Sequence, residues 1–287
     1  MKRSLKGKRV IVIGYNGYVG RHLVEELVKR EAIVFGIGRK ILRFNKNTEV
    51  YSCDISDSKE VSTVTNKIQP HAIFHAAAYG VTQSADRYIK AIDININGTI
   101  NSIESIKNIK NFKNFKNFKN FINTGSEFEY GYRQVTFKEG MNLRLFSIYG
   151  GIENKNRFIP YIVDCSLSNK EVNLTSCKQV RDYVFINDIV NSYICSYNNL
   201  NRKNEIINIS TNNEVTLKEM VEIVKSIENP NLRVNIGALE DRRQEIWKIV
   251  GDNDKTKEII EWEPKVDIYS GLKETIELYR RIYNYEN

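Results

Sequence analysis

The sequence predicts a doubly wound α/β fold, a parallel sheet with helices on both faces, followed by a smaller C-terminal domain. Three observations lead there. Over the first hundred residues, short β-branched apolar runs alternate with stretches of helical periodicity, the order that builds βαβ units. The first run leads directly into Gly14-Tyr15-Asn16-Gly17-Tyr18-Val19-Gly20, a glycine pattern that belongs between a strand and a helix. After Gly150 the alternation lapses into a mixed pattern, punctuated by Pro160, Pro230 and Pro264. The expected division is 1–150 for the sheet domain, with 178–200 returning to it, and 151–287 for the substrate-side domain.

Arg9 to Ile13 is the first strand. Tyr18 to Arg30 is a helix, because Val19, Leu23, Leu27 and Val28 share a face at the helical period. Ala32 to Ile37 and Glu49 to Ser52 are the second and third strands. Ser58 to Ile68 is helical and is stopped by Pro70, which cannot continue a helix. Ala72 to Ala76 is a fourth strand, Ser84 to Ile106 another helix, and Phe121 to Thr124 resumes the sheet. Between these last two, Lys107 to Phe121 repeats a three-residue unit, KNI and then KNF four times. A period of three fits neither helix nor strand. On a helix each Phe of the series Phe112, Phe115, Phe118 and Phe121 turns about 300° from the last, so they cannot all enter one core. The tract reads as a repeat expansion in a helix-to-strand connection, with Phe121 in the strand, in preference to a basic-aromatic nucleic-acid patch. Helices at Leu217 to Ile227 and Ser270 to Ile282 frame the C-terminal part.

An apolar content of 41% suffices for a core and excludes wholesale disorder. No apolar run approaches the ~18 residues of a membrane span. Nor does a secretory apolar region follow Met1-Lys2-Arg3, so a soluble, cytoplasmic protein is expected. Cys53, Cys165, Cys177 and Cys195 lie far apart with no C-x-x-C pair, which argues against a zinc knuckle, a redox motif or a disulfide framework. No metal is expected. The net charge of +8 suits nucleic acid, an acidic membrane surface or a small polyanion without choosing among them. With 33 Asn in the chain, lysine- and asparagine-rich stretches reflect composition more than function.

The glycine loop is more specific. Its first glycine allows a tight turn, its second lets backbone approach a pyrophosphate, and its third allows close helix packing, with phosphates at the helix N-terminus. These are the features of a Rossmann dinucleotide site. At the end of the second strand an acid would hold a free ribose 2′-hydroxyl and an arginine a 2′-phosphate. The chain reads Gly38-Arg39-Lys40, which favours NADP(H) over NAD(H); the plain alternative is a pair of solvated cations. Asp54, just past the third strand, suits either a hydrogen bond from the adenine amino group or a turn before the next helix. His75-Ala76-Ala77-Ala78 ends the fourth strand with small side chains that let backbone lie against a flat ligand. His75 itself reads as a satisfied core histidine.

With these, Asn95-Ile96-Asn97-Gly98-Thr99, Thr124-Gly125-Ser126 with Tyr130-Gly131, the run RLFSIYG from Arg144 to Gly150 and the run RDYVFIND from Arg181 to Asp188 follow in order along nearly the whole chain. This set resembles the extended short-chain dehydrogenase/reductase family, the NAD-dependent epimerase/dehydratase group. Leu167 to Ser176 followed by RDYVFIND is most similar to CDP-paratose and CDP-abequose synthases, which reduce a 4-keto group on a CDP-dideoxyhexose with NADPH. The resemblance implies a nucleotide-sugar 4-keto reductase or epimerase of deoxyhexose biosynthesis, serving surface polysaccharide such as lipopolysaccharide. Its partner is a nucleoside-diphosphate sugar and not nucleic acid. It implies cofactor contacts from Gly14, Tyr15, Asn16, Gly17, Tyr18, Val19, Gly20, Arg39, Asp54, Ala76, Ala77, Ala78 and Asn95. It places Ser126, four positions before Tyr130, as the catalytic hydroxyl on the reacting sugar oxygen, and Arg181 and Arg242 on the nucleotide diphosphate. A planar guanidinium grips phosphate oxygens bidentately; the alternatives are a surface salt bridge for Arg242 and an ion pair with Asp182 or Asp188 for Arg181.

In one place the pattern breaks. The family carries a Tyr-x-x-x-Lys pair after the serine strand, the lysine lowering the tyrosine pKa so that it exchanges a proton with the sugar oxygen. It belongs between Gly131 and Leu143, and Tyr132 to Asn142 contains no such pair. The chain's one Tyr-x-x-x-Lys, Tyr269 to Lys273, opens the last helix, where Gly271-Leu272-Lys273-Glu274-Thr275 matches an unrelated family pattern. A loop and a helix of the family are therefore missing. Tyr130, Tyr132, Lys138 and Tyr149 are the conceivable stand-ins, none promoted by spacing. Two expectations follow: an enzyme that is impaired or uses a substitute acid, or a non-catalytic relic that keeps the NADP and nucleotide-sugar sites. Members of the family often dimerise, which would imply a homodimer, but they do so through the helix missing here, and the sequence does not fix the oligomeric state.

Overall fold

Along the chain, β1 (Arg9–Ile13), α1 (Tyr18–Lys29), β2 (Ile33–Gly38), β3 (Thr48–Ser52), α2 (Ser58–Ile68) and β4 (Ala72–His75) come in the order the alternating pattern demands. They are seen in a computed structural model that describes residues 4–43, 45–79, 88–107, 109, 120–127, 140–199, 205–243 and 245–284. Next come α3 (Tyr88–Ile92), a π-helical segment at Asp93–Asn97, α4 (Gly98–Lys107), β5 (Phe121–Ser126) and β6 (Gly140–Leu145). Then follow β7 (Ser147–Tyr149), α5 (Phe158–Leu167), β8 (Val172–Leu174), β9 (Val180–Arg181), β10 (Tyr183–Phe185), α6 (Ile186–Asn198) and β11 (Glu205–Ile209). The chain closes with β12 (Val215–Thr216), α7 (Leu217–Ile227), β13 (Val234–Ile236), β14 (Lys248–Ile249), α8 (Asp254–Ile260) and α9 (Ile268–Tyr283).

The main sheet has the order β11-β6-β5-β4-β1-β2-β3, and β3, β2, β1, β4 and β5 pair in parallel. From β1 the chain winds outward to β2 and β3 and then crosses back to β4. The carboxyl ends of β1 and β4 therefore form the topological switch point where such sheets take ligands. Contacts divide the chain into two units, one of Met1–Gly125, Tyr132–Leu143 and Val190–Ile207, the other of Ser126–Gly131, Arg144–Ile189 and Asn208–Asn287.

In the first unit Ile11, Ile13, Phe35, Ile37, Val61, Ile68, Ile73, Ile94, Ile106, Ile109 and Phe121 form one buried cluster. Ile109 and Phe121, from the first and last units of the three-residue repeat, both enter it; residues 110–119 lie outside the described ones. On α1 the buried face is Gly20, Leu23, Val24 and Leu27, with Val19 and Val28 only half-buried. The face is rotated from the expected one because Gly20 is pressed against the preceding loop. Asp57 caps α2 by accepting from the Lys59 and Glu60 amides, and Gln69, at φ 53°, ends it in the left-handed conformation just before Pro70. The predicted helix from Ser84 to Ile106 is broken by the π segment, and residues 84–87 lie outside the described ones.

In the second unit the RDYVFIND run proves to be a set of backbone staples. Asp182, fully buried, accepts from the Thr211 amide and hydroxyl at 2.8 and 2.7 Å, from Asn212 N at 3.0 Å and from Gly251 N at 3.3 Å. Asp188 accepts from the Lys265 and Val266 amides, each at 2.9 Å, and its carbonyl accepts from Trp262 Nε1 at 3.0 Å. Thr216 and Glu219 form a reciprocal capping box on α7. Among the described residues no helix is long and apolar enough to cross a membrane.

Candidate functional site

At the switch point Gly14 has φ +77°, and a Cβ there would meet Ala77 N at 2.7 Å and the Ala76 carbonyl carbon at 2.9 Å. Only glycine allows this turn and this approach of two backbones. A Cβ at Gly17 would touch nothing but Gly14 O, at 3.1 Å, so a ligand has room there. At Gly20 it would collide with the Gly14 carbonyl, so the third glycine closes the helix onto the loop. No side chain caps α1 and no acid stands in its first turn, the condition in which a helix terminus takes an anion. The loop therefore fits a dinucleotide pyrophosphate. Arg21, unforeseen in the sequence, braces it by donating to Asn16 O at 3.2 Å and Gly17 O at 3.4 Å. Tyr18 stands edge-on to His22, with ring centres 5.9 Å apart.

Tyr15 turns its side chain inward. Its ring is wholly buried, so close to Gly36 that a Cβ there would lie 2.6 Å from it. Its hydroxyl accepts from Leu42 N at 2.7 Å and donates within reach of Leu42 O and Lys40 O, at 3.1 and 3.2 Å. Asn16 Nδ2 also donates to Lys40 O, at 3.2 Å. Tyr15 thus offers a ligand its backbone only; its side chain ties the loop to the segment after β2.

Arg39 is exposed at the end of β2, its carbonyl accepting from Ser52 Oγ at 3.3 Å. Asp54 takes the turn role: its Oδ1 accepts from Ser56 N at 3.0 Å and Ser56 Oγ at 2.8 Å, while its own amide donates to Glu60 at 2.9 Å. Those Ser56 bonds first, and then Arg39 and Lys90, hold its carboxyl below the usual range. Ala76 and Ala77 are half-buried and Ala78 is exposed. Asn95, expected to face the cofactor, pairs both ways with Tyr79, accepting from its amide at 2.8 Å and donating to its carbonyl at 2.9 Å.

His75 is a core histidine but not a satisfied one. It is 1% exposed, and neither ring nitrogen has a hydrogen-bond partner. Burial pulls its pKa down to about 4, so it is neutral at pH 7. Its carbonyl accepts from Thr124 Oγ1 at 2.7 Å, and Thr124 also meets the buried Tyr193 hydroxyl.

In the second unit, Ser126 ends β5 half-buried. The next residue, Glu127, is 5% exposed; its Oε1 accepts from Ser147 Oγ at 3.1 Å, and its Oε2 has no hydrogen-bond partner. Burial raises its pKa to about 7 despite Arg181 and Arg157 nearby. Sequence offered no signal for this, since a Glu after a strand carries no mark of burial. Arg181 does form an ion pair, but with neither Asp182 nor Asp188: its Nη2 lies 3.0 Å from Glu245 Oε1, with both side chains under 15% exposed. Arg242 is exposed, and the neighbouring Asp241 anchors its segment by accepting from Ser176 N and Oγ at 3.2 and 3.1 Å. Tyr149 is core: 1% exposed, it donates to Asp267 O at 3.4 Å and lies so close to Gly271 that a Cβ there would strike its hydroxyl. Burial moves its pKa upward, away from proton exchange. Tyr269 and Lys273 are both exposed on α9. Tyr130, Tyr132 and Lys138 lie outside the described residues. Among the described residues no cluster of His, Cys, Asp and Glu could hold a metal.

Comparison with known proteins agrees with this architecture. Residues 10–141 match the NAD dependent epimerase/dehydratase family model, and residues 140–275 match that of GDP-mannose 4,6 dehydratase. A CDP-abequose synthase of Salmonella typhimurium is 28% identical, covering 93% of this chain and 97% of the relative. That alignment runs over 301 positions, more than the 287 residues present, so positions of the relative go unmatched here. A UDP-glucose 4-epimerase from Thermotoga maritima, solved with UDP-glucose, superposes with a TM-score of 0.82 at 23% identity, covering 96% of this chain and 99% of the other. The Bordetella bronchiseptica enzyme WbmG, solved with NAD and UDP, gives 0.81 at 17% identity, with 96% of each chain covered.

Proposed function

The chain belongs to the extended short-chain dehydrogenase/reductase family, in its NAD-dependent epimerase/dehydratase group, and from that premise we propose that it acts on a nucleoside-diphosphate 4-keto deoxyhexose as a reductase or epimerase. NADP(H) is the preferred dinucleotide. The observation that carries the cofactor half is the close approach of Gly14 to Ala76 and Ala77 at the switch point, beside the open position at Gly17. Gly14 to Gly20 would hold the pyrophosphate, Ala76 to Ala78 would lie along the dinucleotide, and Arg39 would meet a ribose 2′-phosphate. When bound, the dinucleotide supplies or accepts the hydride. Ser126 hydrogen-bonds the sugar oxygen, and Arg181 and Arg242 grip the diphosphate. Glu127, next to Ser126 in the chain and protonated up to about pH 7, is the described residue best suited to replace the missing tyrosine as acid.

The expected dimer has support in Ile89, Ile92, Ile96 and Ile100, each half exposed or more on one run of helix. A cytoplasmic place follows from the chemistry, since nucleotide sugars and dinucleotides are cytoplasmic metabolites. One observation favours a second reading: with no Tyr-x-x-x-Lys between Gly131 and Leu143, the chain would be a relic that binds cofactor and sugar nucleotide without turnover. Following NADPH absorbance with a CDP- or dTDP-4-keto-6-deoxyhexose separates the two. Turnover that falls roughly a hundredfold or more in Ser126→Ala supports the enzyme. Dinucleotide binding without turnover supports the relic, and binding of neither NADPH nor NADH refutes both.

A further inference from the structure

Beside the glycine loop, two cations from separate elements converge on one aromatic ring. Arg39, at the end of β2, holds its guanidinium carbon 6.0 Å from the centre of the Tyr79 ring. Lys90, from α3, holds its ammonium 5.3 Å from the same centre. Tyr79 is fixed by the two hydrogen bonds of its backbone to Asn95, and the backbone of Arg39 by Ser52 and by the tether of residues 40 and 42 to Tyr15. Arg39 and Lys90 are exposed and could separate into water, yet both are near one ring and one carboxylate, Asp54. A cation over the half-buried Tyr79 ring gains little by itself, and the Asp54 carboxylate stands beside the two charges. Two cations held toward one ring suit a phosphate monoester, which carries about −1.5 to −2 at neutral pH, with Asp54 and Glu60 as the carboxylates beside them.

We infer that Lys90 is the second cation that reads the ribose 2′-phosphate, with Tyr79 as the platform that sets the distance between Lys90 and Arg39. This rests on the proposed dinucleotide site and adds its specificity determinant. The sequence gives no hint of it, because Lys90 lies fifty residues beyond the strand end where cofactor choice is normally sought, in a lysine-rich chain.

The test is calorimetric titration of the full chain with NADPH, NADH, adenosine 2′,5′-bisphosphate and 5′-AMP. Lys90→Met keeps the stem that crosses the ring and removes the charge. It should weaken NADPH and the bisphosphate by roughly tenfold or more, the worth of a charge-assisted hydrogen bond. NADH and 5′-AMP should stay within about twofold, and Lys90→Arg should restore NADPH. If Lys90→Met leaves NADPH unchanged while Arg39→Met loses it, the inference is overturned and the cofactor proposal stands. Equal loss of NADPH and NADH in Lys90→Met also overturns it, assigning Lys90 a structural role. If the unaltered chain binds none of the four, the dinucleotide proposal fails, and this inference with it.

Discussion

Replacing Glu127 by Gln tests how its burial is accommodated. Its carboxyl titrates at about 7 in the folded protein against 4.5 unperturbed, and burial is the first cause. Between those two values the folded chain holds a proton that the unfolded chain has released, so stability falls as pH rises through that window. Below it both states are protonated and nothing is lost; above it the full cost remains. At about 1.4 kcal/mol per pH unit, the gap corresponds to about 3 kcal/mol. Gln keeps an oxygen for the Ser147 hydroxyl and never ionises. Glu127→Gln should therefore melt with the parent near pH 4.5 and above it at pH 8, by on the order of 5 °C for a chain of this size. Calorimetric melting of both proteins across pH 4.5–8, at one scan rate, gives the comparison. An offset that stays constant with pH, or a variant that melts below the parent at pH 8, would refute the claim that this carboxyl is buried at a cost.

Two more outcomes follow from glycines. Gly14→Ala forces a side chain into left-handed backbone, at about 1–2 kcal/mol, and into contact with Ala77, so both melting temperature and dinucleotide affinity should fall; unchanged NADPH binding would show that the turn is dispensable. Gly271→Ala should destabilise strongly by striking the Tyr149 hydroxyl, and Tyr149→Phe should recover part of that loss. Tyr149→Phe alone, which removes one long hydrogen bond, should cost under about 1 kcal/mol and leave any turnover intact, whereas a large loss of turnover would place Tyr149 in catalysis.

What the sequence made legible is what one stretch of chain decides alone. The bounds of β1, α2 and α7 follow from a β-branched run, from helical periodicity and from Pro70 as a stop, while the caps Asp57 and Thr216 are seen only in the structure. The glycine loop was legible because its three glycines answer separate steric demands within seven residues. Pairings set by distant segments were not. Arg181 takes Glu245, 64 residues on, in place of either acid in its own motif, because Asp182 and Asp188 are spent on backbone amides. Asn95 holds the Tyr79 backbone through both ends of its side-chain amide, a pairing with a segment sixteen residues away. The π segment interrupts a helix whose periodicity alone suggested none, and the burial of Glu127 is invisible in its local sequence.

The Tyr15 hydroxyl carries a consequence for the entropy of binding. It joins the turn after β1, where phosphates would sit, to the segment after β2, where the ribose would be read. The second segment is irregular and exposed from Arg39 to Leu42, and a loop of that kind normally loses conformational freedom when it closes on a ligand. Here that freedom is given up during folding, through an aromatic ring that has no other place to go than over Gly36 and Gly38. A ligand arriving at either end meets a surface already arranged for the other, and its affinity is spared the cost of arranging it.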